Sequence, residues 1–409
     1  MRRVVVTGMG VISALGRGRE AFREGLRVGR CGIGPWQGSL GEGLRMAVGA
    51  QVTGFDPATI FQRGPLNVMD RFAQFGVWAA REACEQAGLK GGGAWQETAG
   101  VVMGTCVGGQ QSTDDGYAAL YREGKAAISP FTVPRVMGNA AASQISMEFG
   151  LRGPSFSVAS ACASSNHALG LALHLVRSGL GEVMMAGGSE APLVYGHLKA
   201  WEALRVVAPE VCRPFCAERR GMVLGEGAAV LVLESLDHAR RRGATVLGEL
   251  AGAGMSSDAG HITQPSVEGA SVAMERALAD AGLTPDDIDY INAHGTGTKV
   301  NDVTESRAIG RVFGERARTI PVSSTKSMHG HTLGAAGAIE AVATLLALGD
   351  GFVPPTMGFV RADPECPLDV VPNRSRPARL RAAMSNGFAF GGLNAVLVFR
   401  RLPAEDGGG

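Results

Sequence analysis

The 409 residues carry 39 basic and 38 acidic side chains, a net charge of +1, and are 45% hydrophobic and 19% charged. That balance excludes a broad cationic field for nucleic acid or an anionic membrane, and the apolar content excludes intrinsic disorder. Glycine is abundant, 60 residues, roughly twice the usual share, and lacks the three-residue period of collagen; it predicts tight turns and close backbone packing in an α/β protein.

The chain opens on VVVTGMGVIS (4–13). Met1-Arg2-Arg3 ahead of it superficially resembles the start of a signal peptide, but Gly8, Gly10 and Gly16 interrupt the apolar stretch, and a buried strand is expected. No apolar run is read as approaching the roughly 18 residues of a spanning helix. The seven cysteines are odd in number and scattered, which argues against a disulfide framework and for a reduced, cytoplasmic protein. Cys212 and Cys216 lie near each other with no second pair close by, so zinc is not expected, and no carboxylate–histidine set has ligand spacing.

Further along, the elements repeat. A helical pattern ending in EACEQAGL (82–89) returns as ERALADAGL (275–283), each with a glycine placed to stop the helix. The strand AGVVMGT (99–105) returns as DYINAHGT (289–296), SVASAC (157–162) as PVSSTK (321–326), and GEGAAVLVLE (225–234) as GGLNAVLVFR (391–400). Four matches in one order predict a duplicated chain, with a first half at 1–244 and a second at 245–409. VMMAGG (183–188) and AAVLVL (228–233) are apolar throughout, as strands buried on both faces are. The helix after Cys162, about 163–177, is apolar nearly all round and is expected at the centre. Two long segments of the first half, 106–145 and 191–224, are candidates for lids and dimer contacts. The closing AEDGGG (404–409) has no pattern and is expected to fray.

Chemistry concentrates at three strand ends. Cys162 lies at a strand-to-helix junction, where free N–H groups and the helix dipole favour a thiolate, lower its pKa and offer an oxyanion site. His294, in NAHGTGT, and His331, in SSTKSMHGHTLGAAGA, follow two other strands, where α/β sheets collect their active sites. One nucleophile with two nitrogen donors suits acyl transfer followed by enolate stabilisation. His329 precedes His331 by two residues, and in an extended segment both point to one side; the flanking glycines favour His331. Lys326 and Glu340 are charges in small-residue, apolar sequence, and as a pair would set the protonation of His331. SNGFAFGGLN (385–394) is a glycine-rich turn between strands whose backbone would supply a second oxyanion donor.

These motifs, from VVVTGMGVISALG through GLRGPSFSVASACASS to SNGFAFGGLNA, cover nearly the whole chain. They resemble a β-ketoacyl-acyl carrier protein synthase of the type II elongating group, in the thiolase superfamily. The resemblance implies a duplicated five-layered α-β-α-β-α fold, usually dimeric. It implies Cys162 as acyl-accepting nucleophile, His294 and His331 as the decarboxylation pair, and Lys326 and Glu340 as their electrostatic support. It assigns the oxyanion hole to the N–H groups of Cys162 and Phe390, with Phe390 as a gate, and pantetheine contacts to Thr263, Thr296 and Thr298. Val107 and Trp201 are candidates for the acyl pocket, Trp201 with core packing as its alternative. Arg63, Arg71, Lys125 and Arg205 are candidate contacts for acyl carrier protein. No cofactor is implied beyond the phosphopantetheine that carries the substrates, and the partner subunit is a second copy or a chain-length-factor-like paralogue. RPFCAERRGMVLGEG (213–227) departs from housekeeping synthases at Cys216, Arg220 and Met222. The pattern leans towards nodulation E proteins and type II polyketide ketosynthases, with the housekeeping fatty-acid enzyme as the alternative. A non-catalytic carrier-binding scaffold is the reading from another class, which an intact Cys162 opposes.

Overall fold

In the computed structural model, residues 2–402 are described, so the tail at 404–409 lies outside the described residues. The first strand, β1 (Val4–Ser13), is buried at every position. Its glycines are there because a helix, α1 (Arg71–Ala87), crosses directly over it: a Cβ on Gly8 or Gly10 would sit 2.0 Å from the carbonyl oxygen of Ala83 or Ala79. The first half continues with β2 (Gly100–Gly104), helix α2 (Ala140–Phe149), β3 (Ser155–Val158), helix α3 (Ser164–Ser178), β4 (Val183–Glu190) and β5 (Gly227–Ser235). The second half supplies β6 (Gly248–Ser257), α4 (Val267–Ala281), β7 (Tyr290–Asn292), α5 (Lys299–Phe313), β8 (Pro321–Ser323), α6 (Ala336–Asp350), β9 (Asp369–Val370), β10 (Ala382–Ala389) and β11 (Leu393–Arg400).

The two halves have one topology. In the first, strand order is β3-β2-β4-β5-β1; in the second it is β8-β7-β10-β11-β6, with β9 beyond β8. The first two pairings of each run are parallel and the next two antiparallel. Each strand pair that echoes in the sequence occupies equivalent places. Among the described residues, the sheets join edge to edge only where β1 meets β6, through Val5 opposite Glu249 and Val6 opposite Gly248. Helices α1 and α4 both end on a left-handed glycine, Gly88 and Gly282, which explains the repeated Ala-Gly-Leu.

Packing gives five layers. Helices α1 and α2 cover the outer face of the first sheet and α4 the outer face of the second, each over its own apolar core. Helices α3 and α6 lie between the sheets in a third, central core. Residues Leu333–Asp350 are long and apolar enough to cross a membrane, contrary to the expectation that no run reaches that length. They are 89% buried inside the protein, because α6 is a central helix and is apolar on nearly every side.

Candidate active site

The C-terminal ends of the parallel strands converge. Cys162 follows β3, His294 follows β7, Lys326 and His331 follow β8, and Phe390 follows β10. Both central helices are entered through a short 3-10 turn, Ala161–Ala163 and Leu333–Ala335, whose first residue has positive φ, 48° at Ala161 and 46° at Leu333. For residues with a Cβ this conformation is costly and is held only by its surroundings. Two such turns at equivalent places set Cys162 and the loop after His331 against each other.

Cys162 is buried beneath this turn, with its own N–H and that of Phe390 directed at the sulfur. The expectation of a lowered thiol pKa does not hold. Burial dominates and pushes Cys162 up to about 12, against the opposing pull of Lys326 and the two N–H groups. The resting nucleophile is therefore a thiol, which must lose its proton as it attacks.

His294 and His331 face each other edge to face with ring centroids 5.5 Å apart. Both are held well below the ordinary histidine range by burial, and then by the nearby Lys326 ammonium. They are neutral at physiological pH. The Leu333 N–H donates to Nδ1 of His331 at 3.3 Å, which leaves the proton on Nε2. That Nε2–H is buried with no partner among the described residues, a donor waiting for an acceptor. Lys326 is paired with Glu340 in complete burial. Burial pushes the Glu340 carboxyl up to about 7 despite Lys326. The segment before His331 is not extended: Lys326–His329 is a helical turn, so His329 points elsewhere and is bonded to Thr325 Oγ1 and the Gly330 carbonyl.

Cys162, His294, His331 and Phe390 line one cavity of about 530 Å³, together with Thr263, Thr296 and Thr298. The hydroxyls of Thr296 and Thr298 are 2.9 Å apart. Trp201 belongs to the apolar cluster around Cys162, with Met46, Met222, Leu224 and Leu333. Its ring stacks on Phe390 at 6.1 Å, and its indole N–H donates to His197 at 2.8 Å. Val107 is partly buried, with its N–H on Glu190.

Of the candidate carrier contacts, Arg63 is exposed and Lys125 is exposed beside Glu123. Arg205 is exposed at the cavity mouth. Arg71 is partly buried; its guanidinium donates to Glu226 at 2.9 and 2.7 Å and lies 4.6 Å from the Phe75 ring centroid.

Three acidic residues that support the site were not read from the sequence. Glu190, at the end of β4, accepts from Thr105 Oγ1 and from the N–H groups of Cys106, Val107 and Gly334. It thus ties the loop after β2 to the loop after His331. Burial pushes it up to about 7, while four donors favour its charged form. Glu305 accepts from the N–H groups of His294 and Gly295 and from Asn386. Asp302 accepts from Phe215 and Gly297. The available signal was a carboxylate closing an apolar strand in GGSE, and two carboxylates one helical turn apart behind NAHGTGT.

The description "Beta-ketoacyl synthase, N-terminal domain" matches residues 1–239 and "Beta-ketoacyl synthase, C-terminal domain" matches 247–360. Among curated relatives, Nodulation protein E of Rhizobium sp. (strain N33) is 49% identical over 98% of this chain and 100% of its own length. 3-Oxoacyl-[acyl-carrier-protein] synthase 2 of Coxiella burnetii is 41% identical over 98% of this chain and 99% of its own. Among solved structures, the ishigamide ketosynthase/chain length factor superposes with a TM-score of 0.93 at 38% identity, covering 98% of this chain and 100% of that one. With a buried cysteine, two neutral histidines and a lysine–glutamate pair on a doubled α/β frame, and with both family domains matched, the chain belongs to the β-ketoacyl synthase family.

Proposed function

We propose that this enzyme joins an acyl group held on Cys162 to malonyl-acyl carrier protein, giving β-ketoacyl-acyl carrier protein and carbon dioxide. The observation that carries the reading is the single cavity in which a thiol flanked by two N–H donors meets two neutral histidines. In the first half-reaction the Cys162 sulfur attacks the acyl thioester carbonyl. The carbonyl oxygen takes its charge against the N–H groups of Cys162 and Phe390, and the thiol proton leaves with the departing pantetheine sulfur. In the second, the malonyl carboxylate departs as carbon dioxide, and the thioester oxygen of the resulting enolate is held by His294 and His331. The enolate carbon attacks the acyl-Cys162 carbonyl, and the Cys162 sulfur leaves as a thiolate that takes a proton from solvent. Burial, and then the cation of Lys326, keep both histidines neutral, and a neutral histidine is a donor that does not titrate near pH 7.

The division at 244/245 separates a half carrying the nucleophile from a half carrying the histidines, a proposal in keeping with the matching strand orders. The carrier partner implies a cytoplasmic reaction, and the enzyme works as a homodimer or with a chain-length-factor-like partner. The higher identity to Nodulation protein E supports a specialised product rather than bulk fatty acid. Radiolabelled acyl and malonyl carrier proteins, offered to the purified enzyme, test the reading: a labelled β-ketoacyl product is expected, and absence of both acyl-enzyme and product rejects it.

Trp201 has the stacking and burial of a core residue, yet shares its cluster with the nucleophile. As a wall of the acyl pocket, it limits chain length. Trp201→Ala removes the indole and is expected to shift products towards longer chains, read by mass spectrometry of the released acyl groups. Unchanged lengths with activity retained would make Trp201 core alone.

A further inference from the structure

We infer that Glu190 is a positioning residue for both half-reactions, one carboxylate that holds the acyl-pocket wall at Cys106 in register with the Nε2 proton of His331. The inference rests on the proposed reaction and deepens it, naming a residue that acts on chain fit and on decarboxylation without touching the substrate.

Glu190 ends β4, beside the end of β2, where Gly188 pairs with Gly104. Its side chain is fully buried. Oε1 accepts the Thr105 hydroxyl at 2.9 Å and the Val107 N–H at 3.2 Å. Oε2 accepts the Cys106 N–H at 2.6 Å and the Gly334 N–H at 2.9 Å. Glu340 has the Lys326 cation beside it; Glu190 has no ion pair with any described residue. A buried charge without a counterion is costly unless its hydrogen bonds are complete. Four converging donors complete them here, an arrangement that a carboxylate satisfies and an amide does not.

The two donors on Oε2 lead to the two half-reactions. Cys106 packs in the apolar cluster that holds Cys162 and Trp201, so its N–H fixes one side of the space an acyl chain enters. Gly334 follows Leu333, whose N–H donates to Nδ1 of His331 at 3.3 Å and whose φ is 46°. The Gly334 N–H and the Leu333 carbonyl share one peptide plane. Pinning that plane to Glu190 holds Leu333 in its costly conformation, and with it the N–H that keeps the His331 proton on Nε2. The two loops leave no slack between them: a Cβ on Gly334 would stand 2.4 Å from the Cys106 nitrogen and 2.5 Å from Oε2. A shift at Cys106 is therefore felt at Gly334.

The test compares Glu190→Ala and Glu190→Gln with the parent enzyme, using acyl thioesters of graded chain length and labelled malonyl thioester, with a thermal melt recorded for each protein. Glu190→Ala leaves both donors on Oε2 unpaired. It is expected to slow carbon dioxide release about ten-fold or more, the scale of one lost bond to a charged acceptor, and to flatten the chain-length preference of acylation. Acylation by short chains should not slow, because the Glu190 charge is among the influences that raise the Cys162 thiol. Glu190→Gln keeps one oxygen for Cys106 and Gly334 and turns its amide towards Thr105, whose hydroxyl can reverse and accept. It should recover most of the decarboxylation rate. Where Glu190→Ala does not fold, Glu190→Asp, shorter by one methylene, takes its place with the same expected split between half-reactions. Equal losses in both half-reactions, in step with lost thermal stability, would overturn the proposal and leave Glu190 a loop tie alone. Decarboxylation as slow in Glu190→Gln as in Glu190→Ala would also overturn it. A parent enzyme that forms no acyl-Cys162 would instead reject the ketosynthase reading, and the inference with it.

Discussion

Cys162→Ala is expected to abolish acyl transfer from carrier protein while leaving the fold intact. The sulfur is the only atom in the cavity placed to accept an acyl group between two N–H donors among the described residues. The substitution removes a small, buried, uncharged group, so its cost in stability is that of one lost sulfur and stays within a few kcal/mol. Mass spectrometry of the protein after incubation with an acyl thioester reads the outcome: one added acyl group on the parent enzyme, mapped to the Cys162 peptide, and none on the variant. Two other cysteines control the interpretation. Cys106 packs against the same apolar cluster as Cys162. Burial first, then Glu190 and Cys162, push its thiol far up, so it is a poorer nucleophile at neutral pH. Cys216 is buried with its sulfur on Glu218, away from the cavity. Acylation that persists in Cys162→Ala, or that maps to either of these, would move the nucleophile.

The frame and the reacting residues were legible because each leaves a local mark. Strands buried on both faces read as unbroken apolar runs, and helices that stop on a left-handed glycine repeat the same three letters, so the doubling was visible before any coordinates. Cys162, His294 and His331 each stand at a strand end beside small residues. What was not legible depends on contacts between residues far apart in the chain. The thiol pKa is one case: a helix N-terminus lowers it, but the central layer closes over Cys162, and burial outweighs the dipole. Arg71 is another, because its partner Glu226 lies 155 residues away. Glu190 tightens loops from both halves at once, through Cys106 and Gly334, and no spacing in either half announces it. The membrane-length run at Leu333–Asp350 is rich in glycine and alanine, which pack in the central layer.

His294→Ala and His331→Ala are each expected to slow malonyl decarboxylation by about a hundred- to a thousand-fold, the usual effect of losing one preorganised donor to a developing oxyanion. Acylation of Cys162 should fall far less, because the oxyanion of that step sits against the N–H groups of Cys162 and Phe390 rather than against the imidazoles. The two half-reactions can be followed separately, carbon dioxide release from labelled malonyl thioester on one side and acyl-enzyme formation on the other. The prediction is sharpest for His331. Its Nδ1 accepts the Leu333 N–H, so its proton stands on Nε2, and that donor is buried and unpartnered. His331→Gln should therefore recover part of the rate if its amide N–H reaches the same place, while His331→Ala should not. Because burial and Lys326 hold both imidazoles far below their ordinary range, they carry no charge above about pH 6.5, the usual histidine value. The decarboxylation rate of the parent enzyme should accordingly show no histidine titration between about pH 6.5 and 8, the window in which an unperturbed histidine would lose its last positive charge. Lys326→Ala removes the cation and relaxes that restraint, so an inflection attributable to imidazole protonation should move up towards this window. Parent-like carbon dioxide release from both alanine variants would remove the histidines from the reaction, and a histidine inflection in the parent enzyme would show that at least one of them works as a cation.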